Sequence, residues 1–230
     1  MSTHPVILIP ARYASTRYPG KMLAEMRGKP LIQRVFETCR DTGIPTYVLT
    51  DSMRIANAVG KRAIMTGDAE NGTDRCCEWI NTSDMAGHFN CVINVQGDMI
   101  DIKARHITDI AEGLKKHRVC TLYTDLKEED KNNPSFVKVV HNGRRAIWFG
   151  RGITEYGHHH LGVYGYHYNE IRQYRFLKRF EPEKKENLEQ LRWTMNGIEI
   201  GVVKTKYSGV EINTPEDALR WDESYPLKAA

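Results

Sequence analysis

The chain lacks the common signatures of a disulfide scaffold or a zinc site. Its five cysteines, Cys39, Cys76, Cys77, Cys91 and Cys120, form no CxxC pair, their number is odd, and several stand in apolar runs. Reduced, mostly buried thiols are expected. No apolar run has the length that crosses a bilayer, and the N-terminus lacks the basic-then-apolar order of a signal peptide. A cytoplasmic location with no membrane partner follows as the expectation. Strong charge imbalance is absent too: 33 Lys and Arg against 29 Asp and Glu leave a net +4 in 230 residues. That balance suits an anionic small substrate as well as nucleic acid and decides nothing alone. There is no repeat, low-complexity tract or obvious linker. A hydrophobic content of 40% is ordinary for a globular protein, and the length can bury a full core.

Two nucleotide-binding fingerprints are also missing, GxGxxG and GxxxxGK[ST]. The chain instead opens with VILIPARYASTRYPGKML at 6–23. Val6 to Ile9 is an unbroken apolar run, as expected of a strand buried on both faces of a parallel sheet. Pro10 removes a donor and is expected to end that strand. The loop after it is built from small residues (Ala11, Ala14, Ser15, Gly20) yet carries Arg12, Arg17 and Lys21. Small side chains let backbone amides approach a ligand, and fixed cations neutralise a polyphosphate. A solvated basic loop is the plainer reading. Its place directly after a buried first strand favours phosphate binding, at the strand ends where open parallel sheets hold ligands.

Downstream, periodicity predicts a helix carrying Leu31, Ile32, Val35, Phe36 and Cys39, a strand at 46–49, a short helix at 55–59 and a strand at 63–65. A helix is expected from Asp74 to Thr82, capped by Thr73 or Asp74, then a strand at 91–95, a helix at 103–116 and a strand at 119–123. This alternation implies right-handed crossovers and an α/β, Rossmann-like, mostly parallel sheet. From Asn132 the pattern changes. Paired strands at 136–140 and 146–149 around Asn142-Gly143 read as a hairpin. A strand at 161–166, helices at 169–180 and 187–196, and a strand at 198–205 follow. Thr214-Pro215 starts the final helix. The simplest organisation is one domain over 1–230 with a hairpin-bearing insertion at about 132–185.

Several residues stand where chemistry is done. Asp98, after Gln96-Gly97 at the carboxyl end of a central strand, is placed to ligate magnesium, which takes one or two carboxylates plus substrate phosphates. Gly72-Thr73-Asp74-Arg75 marks a loop-to-helix junction whose backbone groups can read a base edge. His158-His159-His160 invites a metal reading, but in an extended segment only His158 and His160 share a face, and no Cys or carboxylate spacing completes a zinc set. A histidine bonding an anionic substrate is the better reading. Arg172, Arg175, Lys178 and Arg179, interleaved with Tyr174 and Phe176, fit a helix whose basic face is solvated. No nucleic-acid module accompanies them, so no nucleic-acid partner is expected.

Taken together, IPARYASTRYPGK at 9–21, GTDR at 72–75, NVQGD at 94–98, NPSFVKVV at 133–140, HLGVYGY at 160–166, LEQLR at 188–192 and NTPED at 213–217 resemble the sugar-acid cytidylyltransferases, in particular the CMP-Kdo synthetase family. The resemblance covers nearly the whole chain. It implies coupling of CTP to a sugar acid, 3-deoxy-manno-octulosonate (Kdo) or an analogue, with magnesium and release of pyrophosphate. The setting implied is lipopolysaccharide biosynthesis, and the assembly a homodimer. By the same resemblance, Pro10, Ala11, Arg12, Ser15 and Lys21 contact the triphosphate, and Gly72, Thr73, Asp74 and Arg75 the cytosine. Arg12, Lys21 and Asp98 carry catalysis, and Asp98 with Asn213 holds the metal. Gln96, Arg151, His160, Tyr164, Glu189 and Gln190 grip the sugar acid. The chain departs from the family pattern at Asn213, where the family supplies an aspartate, at Met99-Ile100 after Gly97-Asp98, at Glu70-Asn71 before Gly72, and at Tyr18 and Met22. A stretch of about twenty residues after Arg151 is absent relative to that pattern. A cytidylyltransferase for the 8-amino analogue of Kdo and a nucleotide-binding homologue with impaired catalysis are the alternatives, and a nucleic-acid binder is a distant third.

Overall fold

In a strand, successive side chains point to opposite faces, and here that alternation sorts the apolar residues into two buried layers. A computed structural model describes residues 3–224. In β1 (Pro5–Ala11), Ile7, Ile9 and Ala11 enter one layer while Val6 and Leu8 enter the other. The strands that follow are β2 (Glu25–Met26), β3 (Lys29–Pro30), β4 (Thr46–Thr50), β5 (Ala63–Met65), β6 (Cys91–Val95), β7 (Val119–Thr124), β8 (Lys138–His141), β9 (Ala146–Gly150), β10 (His158–His167) and β11 (Gly201–Lys204). The helices are α1 (Leu31–Arg40), α2 (Met53–Val59), α3 (Gly72–Thr82), α4 (Ala104–Leu114), α5 (Tyr168–Gln173), α6 (Glu181–Glu186), α7 (Leu191–Met195) and α8 (Pro215–Ser224).

The main sheet runs β11-β7-β10-β6-β1-β4-β5, with the β8–β9 hairpin attached through β10. β1 pairs in parallel with β4 and β6, β4 with β5, and β7 with β11. β10 is antiparallel to β6 and β7. It therefore begins at the sheet edge where the parallel strands end, which brings His160 opposite Tyr123 near the end of β7. The mostly parallel sheet covered on both faces is the architecture expected from the alternating pattern. One layer is closed by α1, α4 and Trp221 of α8, the other by α3, α5 and α7. The apolar stripe of α1 is the expected one: Leu31, Ile32, Val35, Phe36 and Cys39 are all buried. Each fully buried aliphatic side chain of this kind contributes about 1.5–3 kcal/mol relative to exposure.

Three local expectations are corrected. Pro10 does not end β1, which continues to Ala11 paired with Thr50. The Ile7 amide donates to Pro45 on the β4 side, so alternation turns residue 10 toward β6, and pairing with β6 stops at Leu8. The missing proline donor thus falls where no acceptor waits. The helix expected at 169–180 is broken: α5 ends at Gln173, a tight turn spans Tyr174–Phe176, and Leu177 is extended. Its basic residues are not simply solvated, since Arg175 pairs with Asp74 at 2.7 Å and Arg179 with Glu70 and Glu183 at 3.3 Å each. The helix expected at 187–196 shortens to α7, because Asn187 adopts a left-handed conformation (φ 53°) that closes α6. Asparagine tolerates that region better than most residues. The hairpin stands as expected, with Gly143 at φ 89° and the Asn142 side-chain oxygen accepting from the amides of Arg144 and Arg145. So does the cap of α8, where Thr214 Oγ1 accepts from the Asp217 amide at 3.3 Å.

Candidate active site

The loop after β1 carries Arg12 and Arg17 exposed and turns back through Gly20, whose φ of 70° favours glycine. That turn sends Lys21 inward. Its Nζ lies 2.6 Å from Asp98 Oδ2 and donates to the Ile212 carbonyl at 3.1 Å. Asp98 follows β6 by three residues, and its own carbonyl accepts from the Ile212 amide at 3.0 Å. Ile212 is thereby held from both sides. Arg17 Nη2 donates to Asn213 Oδ1 at 3.0 Å, tying the loop to the other neighbour of Ile212. Ser15 is half-buried in the same loop, while Pro10 and Ala11 are buried at its root.

α3 starts two residues earlier than periodicity suggested, so Gly72 and Thr73 form its first turn. The cap is Asn71, whose side-chain oxygen accepts from the Asp74 amide at 2.8 Å. A Cβ on Gly72 would stand 3.0 Å from Gln96 Nε2 and 3.1 Å from Pro10 Cγ. Glycine is what lets these segments meet. Thr73 donates to Glu189 through its amide (3.2 Å) and its hydroxyl (3.0 Å), and Gln96 Nε2 approaches the same carboxylate at 3.4 Å. Desolvation pushes the Glu189 carboxyl up, against the Thr73 bonds that pull it down. The Asp74 and Arg75 side chains are paired within the protein. Asp74 is taken by Arg175, and Arg75 is buried on Asp51 at 2.8 Å and the Gly67 carbonyl at 3.0 Å. The Arg75 side chain is 4% exposed against 39% for Arg175, so its pair holds the loop more firmly.

The residues assigned to the acid come together on the other side of Gln96. Tyr164 is buried and its hydroxyl donates to Gln190 Oε1 at 3.2 Å. Gln190 Nε2 is buried without a partner, a donor held ready. His160 is 5% exposed, its Nε2 is 3.0 Å from Thr121 Oγ1, and burial, with His159 and Arg151 nearby, pushes its pKa down to about 3. It is therefore a neutral hydrogen-bonding group. Arg151 anchors through Nη1 on the Ser135 carbonyl at 2.9 Å, and its charge is felt at His160, Tyr164, Lys138 and Glu211. The connection from β9 to β10 is short, spanning 151–157. His158, by contrast, bonds His141 at 3.1 Å, apart from His160.

Three residues escaped the sequence reading. Lys138 is fully buried with its ammonium on the Asn133 carbonyl at 2.6 Å. Asn94, within the NVQGD motif, is buried with both amide atoms unpartnered; one polar residue inside an apolar strand was the available signal. Glu211 directly precedes Ile212. Burial first, then the Asp98 carboxylate, push its carboxyl up to about 7, while Lys21, Arg151 and a hydrogen bond from Asn213 oppose the shift. Among the described residues no three His, Cys, Asp or Glu side chains converge as a metal cage. The oxygen set around Lys21 nevertheless suits a hard cation, and the Lys21 ammonium rests there as a cation of the protein's own.

The chain is similar to known proteins over most of its length. A family model for cytidylyltransferases matches residues 6–200. A 3-deoxy-manno-octulosonate cytidylyltransferase of Bartonella bacilliformis is 35% identical, aligning 96% of this chain with 98% of its own. An 8-amino-3,8-dideoxy-manno-octulosonate cytidylyltransferase of Shewanella pealeana is 39% identical over 92% of this chain and 94% of its own. Among solved structures, a CMP:2-keto-3-deoxy-manno-octonic acid synthetase complexed with CTP superposes with a TM-score of 0.87 at 33% identity, covering 96% of this chain and 97% of that one.

Proposed function

The chain belongs to the cytidylyltransferase family, and from that premise we propose that it joins CTP to Kdo, giving CMP-Kdo and pyrophosphate. One observation carries the reading. Within three residues after β6, Gln96 reaches Glu189 and Asp98 reaches Lys21, so acid-binding, nucleotide-binding and phosphate-binding groups share one cleft. In the reaction the anomeric oxygen of the acid bonds to the α-phosphorus as the bond from that phosphorus to the bridging oxygen of pyrophosphate breaks. The protein's task is alignment and charge neutralisation. Arg12 and Lys21 neutralise the phosphates, the backbone at Gly72 and Thr73 meets the base, and Arg151 takes the acid's carboxylate. Neutral His160, Tyr164 and Gln190 orient its hydroxyls. Magnesium, held by Asp98 with Asn213 beside it, supplies charge neutralisation at the phosphates when bound.

Pyrophosphate release across the four nucleoside triphosphates and a panel of sugar acids tests this. CTP with Kdo should be the best pair, and no turnover with CTP and any acid would overturn it. The 8-amino analogue is the second reading, favoured by the Shewanella relative, and the same panel separates the two. Cytoplasmic location is part of the proposal, supported by the absence among the described residues of a helix long and apolar enough to cross a membrane. A homodimer is proposed as the assembly, through the insertion at about 132–185, where Ile147 and Phe176 are exposed.

A further inference from the structure

We propose that Lys138 is the positioning residue for Arg151, setting the guanidinium that takes the sugar acid's carboxylate. This rests on the cytidylyltransferase reading above and concerns how the acid's anchor is held. Lys138 begins β8, where it stands opposite Gly150 of β9 on one side and His159 of β10 on the other. Gly150 directly precedes Arg151, so register alone brings the lysine to the root of the arginine. The side chain is fully buried, an uncommon state for lysine. Its Nζ donates to the Asn133 carbonyl at 2.6 Å and to the Arg151 carbonyl at 3.4 Å. Arg151 Nη1 in turn donates to the Ser135 carbonyl at 2.9 Å. These contacts close a ring. The main chain of Arg151 and the tip of its side chain are both tied to the segment 133–135, one through the Lys138 ammonium and the other directly. The connection that follows Arg151 returns over the same lysine: a Cβ on Gly157, whose φ is 91°, would stand 3.3 Å from Lys138 Cβ.

The charges around this ring are arranged for an anion. A buried ammonium ordinarily needs a carboxylate partner. The Lys138 ammonium donates to carbonyls instead, and among the described residues it forms no ion pair. The charged neighbour that acts on it is Arg151: burial first, and then that second cation, lower the Lys138 pKa. Two cations held in one ring repel, and a carboxylate arriving at Arg151 relieves the repulsion. The acid also meets a guanidinium already fixed in place, so less side-chain freedom is lost on binding than for a free arginine. A lysine that only stapled β8 to its neighbours would support the fold and leave acid recognition alone. The two roles differ in their kinetics.

The test is steady-state pyrophosphate release with Kdo varied at saturating CTP, together with thermal unfolding and calorimetric CTP affinity. It compares the native protein with Lys138→Met, Arg151→Ala and the variant carrying both. Methionine keeps most of the stem and removes the donor and its charge. Lys138→Met should raise the Michaelis constant for the acid about tenfold, with kcat lowered less than about threefold and CTP affinity unchanged. Because Lys138 acts through Arg151, the two substitutions should not add: the double variant should lie within about threefold of Arg151→Ala. Full additivity, or a lowered melting temperature with a native Michaelis constant for the acid, would make Lys138 a support of the fold and overturn the assignment, leaving the proposed function standing. If Lys138→Met does not fold, Lys138→Gln, shorter and uncharged, takes its place with the same expected rise. Failure of both to fold would likewise reduce Lys138 to a support of the fold. If Arg151→Ala itself leaves the Michaelis constant for the acid unchanged, the acid site is misplaced, and the proposed function falls with it on that side.

Discussion

On the proposed phosphate side of the site the groups are cations on a loop; on the proposed acid side His160, Tyr164 and Gln190 are uncharged groups buried in the sheet and the α6–α7 segment, with Arg151 beside them. Arg12 and Arg17 are exposed, and Lys21 is held by Asp98 and the Ile212 carbonyl. His160, Tyr164 and Gln190 are 5%, 3% and 2% exposed. The difference matches the two tasks. A triphosphate needs charge that can follow it as it reacts, and long flexible cations provide that. Telling one sugar acid from another needs fixed donors and acceptors, because a site built to hydrogen-bond a hydroxyl rejects the analogue that lacks it.

The sharpest way to break this comparison is to remove charge from the loop. Arg12→Ala and Lys21→Ala should each slow pyrophosphate release by about 30- to 1000-fold, roughly 2–4 kcal/mol, because they withdraw charge where charge develops in the transition state. Steady-state kinetics at saturating acid read this out. Both variants within a factor of two of the native rate would remove the phosphate loop from the mechanism. On the acid side, Arg151→Ala should raise the Michaelis constant for the acid by about 10- to 100-fold, the scale of a hydrogen bond to a charged group. Calorimetric CTP affinity should stay unchanged. A drop in CTP affinity with normal acid dependence would merge the two sides into one.

The candidate phosphate loop stands out in the sequence, whereas the contacts of the proposed acid side do not, for a physical reason. A cationic loop after a buried strand is local: Arg12, Arg17 and Lys21 lie within ten residues of Ala11. The alternation of strands and helices is equally local, and it predicted the sheet. The acid side is assembled from β6, β10 and the segment before α7, so its contacts follow from sheet order, which no single stretch encodes. Resemblance identified its residues; only the fold shows Thr73 bonded to Glu189. Pro10 and the 169–180 helix misled because tertiary partners decided them: the point where β6 pairing stops, and the carboxylates that draw Arg175 and Arg179 out of a regular helix. Glu211 falls between the strand expected at 198–205 and the final helix, where nothing local marks it.

Burial on the proposed acid side carries a pH signature. Burial pushes the pKa of His159 down to about 4 and of His160 down to about 3, from an ordinary 6.5. Both are neutral when folded. Below the unfolded value the unfolded chain takes up protons that the folded chain refuses, so stability is present above about pH 6.5 and is lost as pH falls toward these folded values. Between pH 6.5 and 5 each histidine should account for about 2 kcal/mol of that loss. Urea denaturation of His160→Asn should therefore show a shallower decline between pH 7 and 5 than the native protein. Parallel curves would mean that His160 is not buried as a neutral group.

The smallest expected effect probes the boundary between the two sides, at Arg175. Its guanidinium holds Asp74 in the segment assigned to the cytosine, through bonds of 2.7 and 3.1 Å. The Arg175 side chain is 39% exposed, so solvent screens the pair and its worth is near the surface scale, about 1 kcal/mol. Asp74 also keeps the Glu70 amide at 3.0 Å when Arg175 is removed. Burial by itself would raise the Asp74 carboxyl, yet the bonds from Arg175 and Glu70 hold it below its ordinary value. The pair therefore stabilises the fold above the carboxylate range and is lost as pH falls through it. Arg175→Ala should lower the melting temperature at pH 7 by about 2–4 °C. Its effect on the Michaelis constant for CTP should be less than about threefold, under 1 kcal/mol, because Asp74 is bonded within the loop and not assigned a side-chain contact to the nucleotide. A tenfold or larger rise in that constant with an unchanged melting temperature would reverse the assignment. The basic segment after α5 would then belong to the nucleotide side, and the division between a flexible charged side and a rigid neutral one would fail at that point.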